Sequence, residues 1–118
     1  MPDDLQSFLP LSPAALHILL CLAGEPRHGY GIMQEIAVQS NGHYKLGPGT
    51  LYDNLQKLMN QGLVSEARVK ITGDDPRRRY YTLTNLGRNV LQADVERLRN
   101  VVREAGVRLK PSRSGGRS

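Results

Sequence analysis

The first part of the chain contains three segments in which apolar residues recur with the spacing of an α-helix. The segment from Leu11 to Ala23 is apolar on nearly all sides, which is typical of a helix buried against several neighbours. A second helix is predicted to start at His28 and run to about Gln39, and a third is predicted from about Thr50 to Gln61. Gly62 is expected to follow the third helix in a left-handed conformation.

The residues after Gly62 change from helical to strand-like spacing. Leu63 to Ile71 is rich in β-branched residues and Arg77 to Leu83 alternates, so the two segments are predicted to form a hairpin. Thr84 is then predicted to cap a long helix through about Ala105. Three helices, a hairpin and a long C-terminal helix predict a mainly α fold with a small β-hairpin, in the winged helix-turn-helix arrangement.

The long helix carries a regular apolar stripe. Its members follow one another at alternating steps of four and three residues, which is the spacing of a coiled-coil seam. They are Leu91, Val95, Leu98, Val102, Ala105 and Leu109. The stripe is shorter than a secure coiled-coil pattern, so packing on its own domain is the alternative. A three-helix core is too small to cover all of it, which favours contact between two copies of the chain.

The chain has 118 residues and a mass of 13.1 kDa, which gives room for one core. We expect residues 1–83 to form the winged-helix domain with an N-terminal arm, residues 84–110 a dimerisation helix, and residues 111–118 a disordered basic tail. No apolar run is long enough to cross a bilayer, and the acidic start is unlike a secretory signal. A cytoplasmic protein is therefore expected. The single cysteine excludes an internal disulfide.

Positive charge is concentrated in the last third of the sequence. The net charge is +5, but residues 1–76 carry 5 basic and 8 acidic side chains, whereas residues 77–118 carry 11 basic and 3 acidic ones. The densest run is Arg77-Arg78-Arg79, at the predicted hairpin. Such a distribution favours a polyanionic partner. A solvated basic loop is the alternative, but the position of the run on the wing favours double-stranded DNA.

In a winged helix the third helix enters the major groove and reads base edges mainly through its N-terminal half. A helical projection places its leucines inward and gives four candidates for base contact: Thr50, Asp53, Asn54 and Lys57. The alternative for each is a solvated helix residue. Phosphates repel the Asp53 carboxylate, so we expect it to accept a hydrogen bond from cytosine, to pair with Lys57, or to lower non-specific affinity.

Contacts to DNA phosphates require hydrogen-bond donors or positive charge, without base specificity. The candidates for these contacts are Tyr30, Lys45, Tyr52, Arg77, Arg78 and Arg79. Core packing is the alternative for Tyr30 and Tyr52. One of the adjacent tyrosines at positions 80 and 81 is expected in the core, because neighbouring strand residues face opposite sides.

Other classes of function have little support in the sequence. The chain lacks a phosphate-binding glycine loop, a G-x-S-x-G motif and a C-x-x-C motif, so no enzyme activity, metal or cofactor is expected. His17, His28 and His43 do not have metal-ligand spacing, and His28 is interpreted as the residue that starts the second helix. A winged helix used for protein–protein contact remains an alternative, which the arginine-rich wing disfavours.

Four segments together resemble the PadR family of bacterial transcriptional regulators. They are H-G-Y-G-I-M-Q-E-I (28–36), G-P-G-T-L-Y-D-N-L-Q-K-L (47–58), Q-G-L-V (61–64) and R-R-Y-Y-T-L-T-N-L-G (78–87). The resemblance implies a homodimeric repressor with the DNA-reading helix at Thr50–Asn60, the wing at Leu63–Leu83 and a single dimerisation helix. Family members respond to varied small molecules, and the sequence leaves open whether an effector exists. Asp53 departs from the family, which often has a basic residue there.

Overall fold

A computed structural model describes residues 5–67 and 78–111. From Leu11 onward, the described residues form helices and short strands in the order α1 (Pro13–Gly24), β1 (Arg27–His28), α2 (Gly29–Gln39), α3 (Pro48–Asn60), β2 (Val64–Ala67), β3 (Tyr80–Leu83) and α4 (Asn85–Arg108). The predicted mainly α fold with a long C-terminal helix is confirmed. The predicted strand residues 68–71, Arg77 and the tail residues 112–118 lie outside the described residues.

The sheet contains one strand more than the predicted hairpin. The strands are antiparallel in the order β1-β3-β2, with Arg27 opposite Tyr81 and Val64 opposite Leu83. The return strand is also shorter than predicted, since it begins at Tyr80 and leaves Arg78 and Arg79 in the preceding segment. Antiparallel pairing of β1 with the wing strand β3 therefore holds the connection between α1 and α2 against the wing.

Local hydrogen bonds define the start of α1 and the end of α3, where Gly62 was predicted to follow the helix. The Ser12 hydroxyl accepts a hydrogen bond from the Ala15 amide (3.1 Å), and Pro13 occupies the first turn of α1. After α3, Gly62 has a φ of +80°, and the Leu63 amide donates to the Leu58 carbonyl (2.9 Å). This geometry satisfies the last carbonyls of α3 and turns the chain into the wing.

The core lies where the helices meet the sheet. Its fully buried members are mostly leucine and isoleucine side chains from α1, α2 and α3, and they include Ile18, Leu22, Ile32, Ile36, Leu51 and Leu55. Val90 adds the first half of α4 to the same cluster. Residues of the N-terminal arm, among them Phe8, pack against the outside of this core. Asp94 is fully buried on α4 and pairs with Arg97 (2.7 Å).

The start of α4 is packed tightly against the end of α3. The Thr84 amide donates to the Leu63 carbonyl (3.1 Å), and the Thr84 hydroxyl donates to the Gly62 carbonyl (2.6 Å) and accepts from the Gly87 amide (2.9 Å). A Cβ atom added to Gly87 would overlap the Leu63 carbonyl oxygen. The two residues Gly62 and Leu63 therefore join the third helix, the wing and the long helix.

Candidate nucleic-acid interface

Four of the predicted phosphate-contact residues line one open cavity of about 370 Å³, which we call the Tyr30 cavity. Its lining consists of His28, Gly29, Tyr30, Tyr52, Arg78, Arg79 and Tyr81. The side chains of Tyr30 and Tyr52 are 59% and 48% exposed, so neither is a core residue. The cavity thus gathers phenol hydroxyls and guanidinium groups from α2, α3 and the segment before β3.

Two features of the backbone bring these elements together. Pairing of β1 with β3 places His28 opposite Tyr80, next to the arginines of the wing. At the start of α2, a Cβ atom on Gly29 would overlap the Tyr52 hydroxyl oxygen, so only glycine lets α3 approach this closely. Tyr52 therefore holds its hydroxyl against the N-terminus of α2, where backbone amides attract anions.

The charged groups of the cavity have partners on the neighbouring strands. The Arg79 Nε lies 3.5 Å from a Glu66 oxygen on β2, and both side chains are exposed. Burial, followed by the nearby Tyr52 hydroxyl, raises the pKa of the Tyr81 hydroxyl above its usual value. Tyr81 belongs to the core as expected for one of the tyrosine pair, but Tyr80 is also buried, against the ring of His28.

His28 lines the cavity although the sequence analysis did not name it among the phosphate-contact residues. It was predicted only to start α2, and its Nδ1 does cap that helix by accepting a hydrogen bond from the Gly31 amide (3.1 Å). Its Nε2 lies 3.0 Å from Nη1 of Arg78, fifty residues away. The sequence carries no signal for this contact, because it depends on the long-range pairing of a two-residue strand, and so short a strand has no periodic pattern.

The predicted base-contact residues lie on α3 and differ in exposure and in side-chain hydrogen bonding. Thr50, Asp53 and Lys57 are exposed, whereas Asn54 is half-buried and donates a hydrogen bond from its amide to the Thr50 carbonyl (2.9 Å). Asn54 must break that bond before it can pair with a base. Within the described residues Asp53 has no ion pair with Lys57 inside 4.0 Å, so the predicted pairing is not found.

The N-terminus of α3 is open to an anion. Its N-cap residue is Gly47, and no side chain caps the first turn. The free amides of that turn can therefore bind a phosphate together with the positive end of the helix dipole. Lys45 is exposed in the preceding loop but does not line the Tyr30 cavity. Arg77 was predicted to contact phosphate and lies outside the described residues.

The α4 stripe divides into a covered half and an exposed half. Leu91 is only 5% exposed and Val95 packs beside the core, so these two residues contact their own chain. Leu98 and Ala105 are half-buried, and Val102 is 70% exposed. Val101, which the heptad spacing omits, is 53% exposed and widens the exposed half.

Two further features were searched for in the described part of the chain. Residues 5–67 and 78–111 contain no group of three or more histidine, cysteine, aspartate or glutamate side chains arranged to hold a metal ion. None of the described helices combines the length and the apolar character required to cross a membrane.

Comparisons with known proteins agree on one family. Residues 18–93 match the model of the transcriptional regulator PadR-like family. The chain is 41% identical over 90 residues to the transcriptional regulator Rv3488 of Mycobacterium tuberculosis, covering 75% of this chain and 78% of the relative. A PadR family transcription regulator from Clostridium difficile superposes with a TM-score of 0.70 at 23% identity, covering 83% of this chain and 99% of that one.

Bacillus subtilis PadR, solved in complex with operator DNA, superposes with a TM-score of 0.60 at 24% identity. The superposition covers 71% of this chain and 47% of the Bacillus protein. At these identities the two solved structures support the winged-helix fold.

Proposed function

This chain belongs to the PadR-like family of transcriptional regulators, and we propose that it acts as a homodimeric repressor that binds a pseudo-palindromic operator. The observation that carries the proposal is the Tyr30 cavity, because hydroxyl and guanidinium donors from three parts of the chain converge beside α3. Donors of this kind bind phosphates and fix the register of a protein on duplex DNA. The solved complex of Bacillus subtilis PadR with operator DNA supports the same use of the fold.

In the proposed complex, α3 lies in the major groove. Thr50, Asp53 and Lys57 are exposed for contact with base edges, and Asn54 joins them once its amide leaves the Thr50 carbonyl. Asparagine pairs with adenine through two hydrogen bonds, and a good bidentate contact contributes about 1–3 kcal/mol of discrimination. The phosphates on either side of the groove contact Tyr30, Lys45, Tyr52, Arg77, Arg78 and Arg79.

The exposed half of the α4 stripe supplies the proposed dimer contact. Leu98, Val101, Val102 and Ala105 project beyond the domain core, and an exposed stripe of this length is costly for a monomer in water. Two antiparallel or parallel α4 helices would bury it and hold the two α3 helices about 34 Å apart, one turn of duplex. A small molecule that changes the angle between the α4 helices would change this spacing and release the operator.

Selection of bound duplexes from a random DNA pool tests binding, symmetry and spacing together. We expect enrichment of inverted half-sites with centres about 10–10.5 base pairs apart. Enrichment of a single asymmetric half-site would contradict the dimer, and an absence of binding to every duplex at low salt would contradict the proposed function. Reporter assays with the selected operator then distinguish repression from activation.

A further inference from the structure

An acidic side chain lies next to the proposed phosphate donors of the Tyr30 cavity. Glu66 is opposite Tyr81 in the pairing of β2 with β3, so the two side chains are on the same face of the sheet. Arg79 directly precedes β3, and its Nε lies 3.5 Å from Oε2 of Glu66. Arg79 and Tyr81 line the cavity, whereas Glu66 does not. The Arg79 side chain therefore borders both the cavity and the Glu66 carboxylate.

The ion pair between Glu66 and Arg79 is weak enough for Arg79 to exchange its partner. The side chains of Glu66 and Arg79 are 52% and 74% exposed, so water and salt screen their attraction. Exposed ion pairs of this kind contribute little to the free energy of folding. A phosphate offers arginine the same kind of charged oxygen acceptors as a carboxylate does. A phosphate that enters the cavity can therefore replace Glu66 as the acceptor for Arg79.

Such an exchange makes Glu66 oppose DNA binding in two ways. In the free protein, the attraction between Glu66 and Arg79 has to be given up before Arg79 can pair with a phosphate. In the complex, the Glu66 carboxylate stays on β2 near the negatively charged DNA backbone, without the guanidinium that neutralised it. Both effects concern the DNA backbone and not the base edges, so they are the same for every DNA sequence.

From this arrangement we infer that Glu66 competes with a phosphodiester of the DNA backbone for Arg79. This inference rests on the proposed function, because it takes the phosphate from duplex DNA. Arg79 pairs with Glu66 in the free protein and with the phosphodiester in the complex. Glu66 therefore lowers the affinity of the domain for duplex DNA of any sequence. It also makes this affinity less dependent on salt, because the carboxylate released from Arg79 takes up a cation as the DNA releases one.

The test compares wild type, Glu66→Gln, Arg79→Ala and the double variant on one selected duplex and one random duplex at several salt concentrations. Glutamine keeps the shape of the Glu66 side chain and removes its charge. We expect Glu66→Gln to raise the affinity for both duplexes by about threefold per subunit, in the range for an exposed ion pair. The ratio of the two affinities should stay the same. The plot of log affinity against log salt should become steeper by up to about 0.9 per subunit.

The double variant separates competition for Arg79 from a general repulsion between Glu66 and DNA. If Glu66 acts through Arg79, Glu66→Gln raises affinity clearly less in the Arg79→Ala background than in wild type. The matched control is Glu104→Gln, which removes the carboxylate of another exposed ion pair, with Arg108 on α4 (3.1 Å), and should leave affinity nearly unchanged. An unchanged or lower affinity of Glu66→Gln, or an equal gain in both backgrounds, would overturn the inference while leaving DNA binding intact.

A second measurement observes the exchange of partners directly. Carbon NMR of the Glu66 carboxylate compares wild type with and without duplex, and Arg79→Ala without duplex gives the reference signal of a Glu66 that lacks this arginine. We expect the duplex to move the wild-type signal towards this reference, and a signal that stays in place or moves away from it would overturn the inference. If no duplex binds, the proposed function fails separately, and inorganic phosphate is the probe: the same movement supports the competition and its absence overturns it.

Discussion

Gly87→Ala is expected to destabilise the protein, although alanine is the better helix former. Gly87 is buried in the first turn of α4. The added Cβ would overlap the Leu63 carbonyl oxygen and lie 2.9 Å from Leu83 Cδ1 and 3.0 Å from the Leu63 carbonyl carbon. The Leu63 carbonyl cannot turn away freely, because it accepts the hydrogen bond of the Thr84 amide (3.1 Å). The methyl group therefore forces α4 away from the end of α3.

The magnitude follows from three contributions. Replacing glycine by alanine in a helix gains at most about 1 kcal/mol. Overpacking a buried site costs about 1–3 kcal/mol, and loss of the Thr84 amide hydrogen bond adds about 1 kcal/mol. The free energy of unfolding should fall by about 1–3 kcal/mol, which corresponds to a decrease in Tm of at least about 4 °C for a domain of this size.

Gly106→Ala is the matched control, because Gly106 lies in the same helix but a Cβ there meets nothing within 4 Å. This variant should be as stable as wild type or up to about 1 kcal/mol more stable. Urea unfolding followed by circular dichroism at one fixed protein concentration measures both, since the stability of a dimer depends on concentration. A Gly87→Ala midpoint equal to that of Gly106→Ala would refute the close packing of α4 on Leu63.

Three other predictions concern association, specificity and pH. Leu98→Asp is expected to be monomeric in analytical ultracentrifugation and to bind the operator weakly. Val107→Asp, about 180° away on the same helix, is the control and should remain dimeric. A dimeric Leu98→Asp protein would exclude this contact. Asp53→Asn should change the preferred base or raise affinity for random DNA, and a variant with neither change would show that the carboxylate has no role in recognition. Burial raises the pKa of Cys21 from 9.0 to about 11, so the folded state keeps the thiol neutral and stability is lost as pH rises from 9 towards 11. Relative to Cys21→Ala, the free energy of unfolding of the wild-type protein should fall by up to about 3 kcal/mol in this pH range. Parallel plots of unfolding free energy against pH for the two proteins would contradict this prediction.

Local chemistry in the sequence was sufficient to locate the end of α3 and the start of α4. Ser12 and Thr84 cap their helices with hydroxyls that bond within three residues, and Gly62 supplies the left-handed conformation after α3. These interactions depend on neighbours in sequence, so residue type alone predicts them. The leucines of α3 were also placed correctly, because a period of 3.6 residues distinguishes a buried face from an exposed one.

The features that the sequence did not predict depend on distant residues. β1 consists of two residues and forms only because it pairs with β3, more than fifty positions later in the sequence. No local sequence pattern therefore predicts it. The position of His28 beside Arg78 follows from that pairing. The periodicity of the sequence identified the apolar stripe on α4 but did not show which of its residues pack within the same chain. Leu91 packs within its own chain, whereas Val102 is exposed.

The junction at Gly62 and Leu63 couples the orientation of α4 to that of α3. Its 24 residues extend from a joint that is hydrogen-bonded directly to the C-terminus of α3. Because such a helix is about 36 Å long, a tilt of about 10° at the joint corresponds to about 6 Å at the far end. In the proposed dimer, a movement of this size where the two copies meet would therefore correspond to a small rotation of α3 in the DNA groove, without a change in the internal packing of either domain.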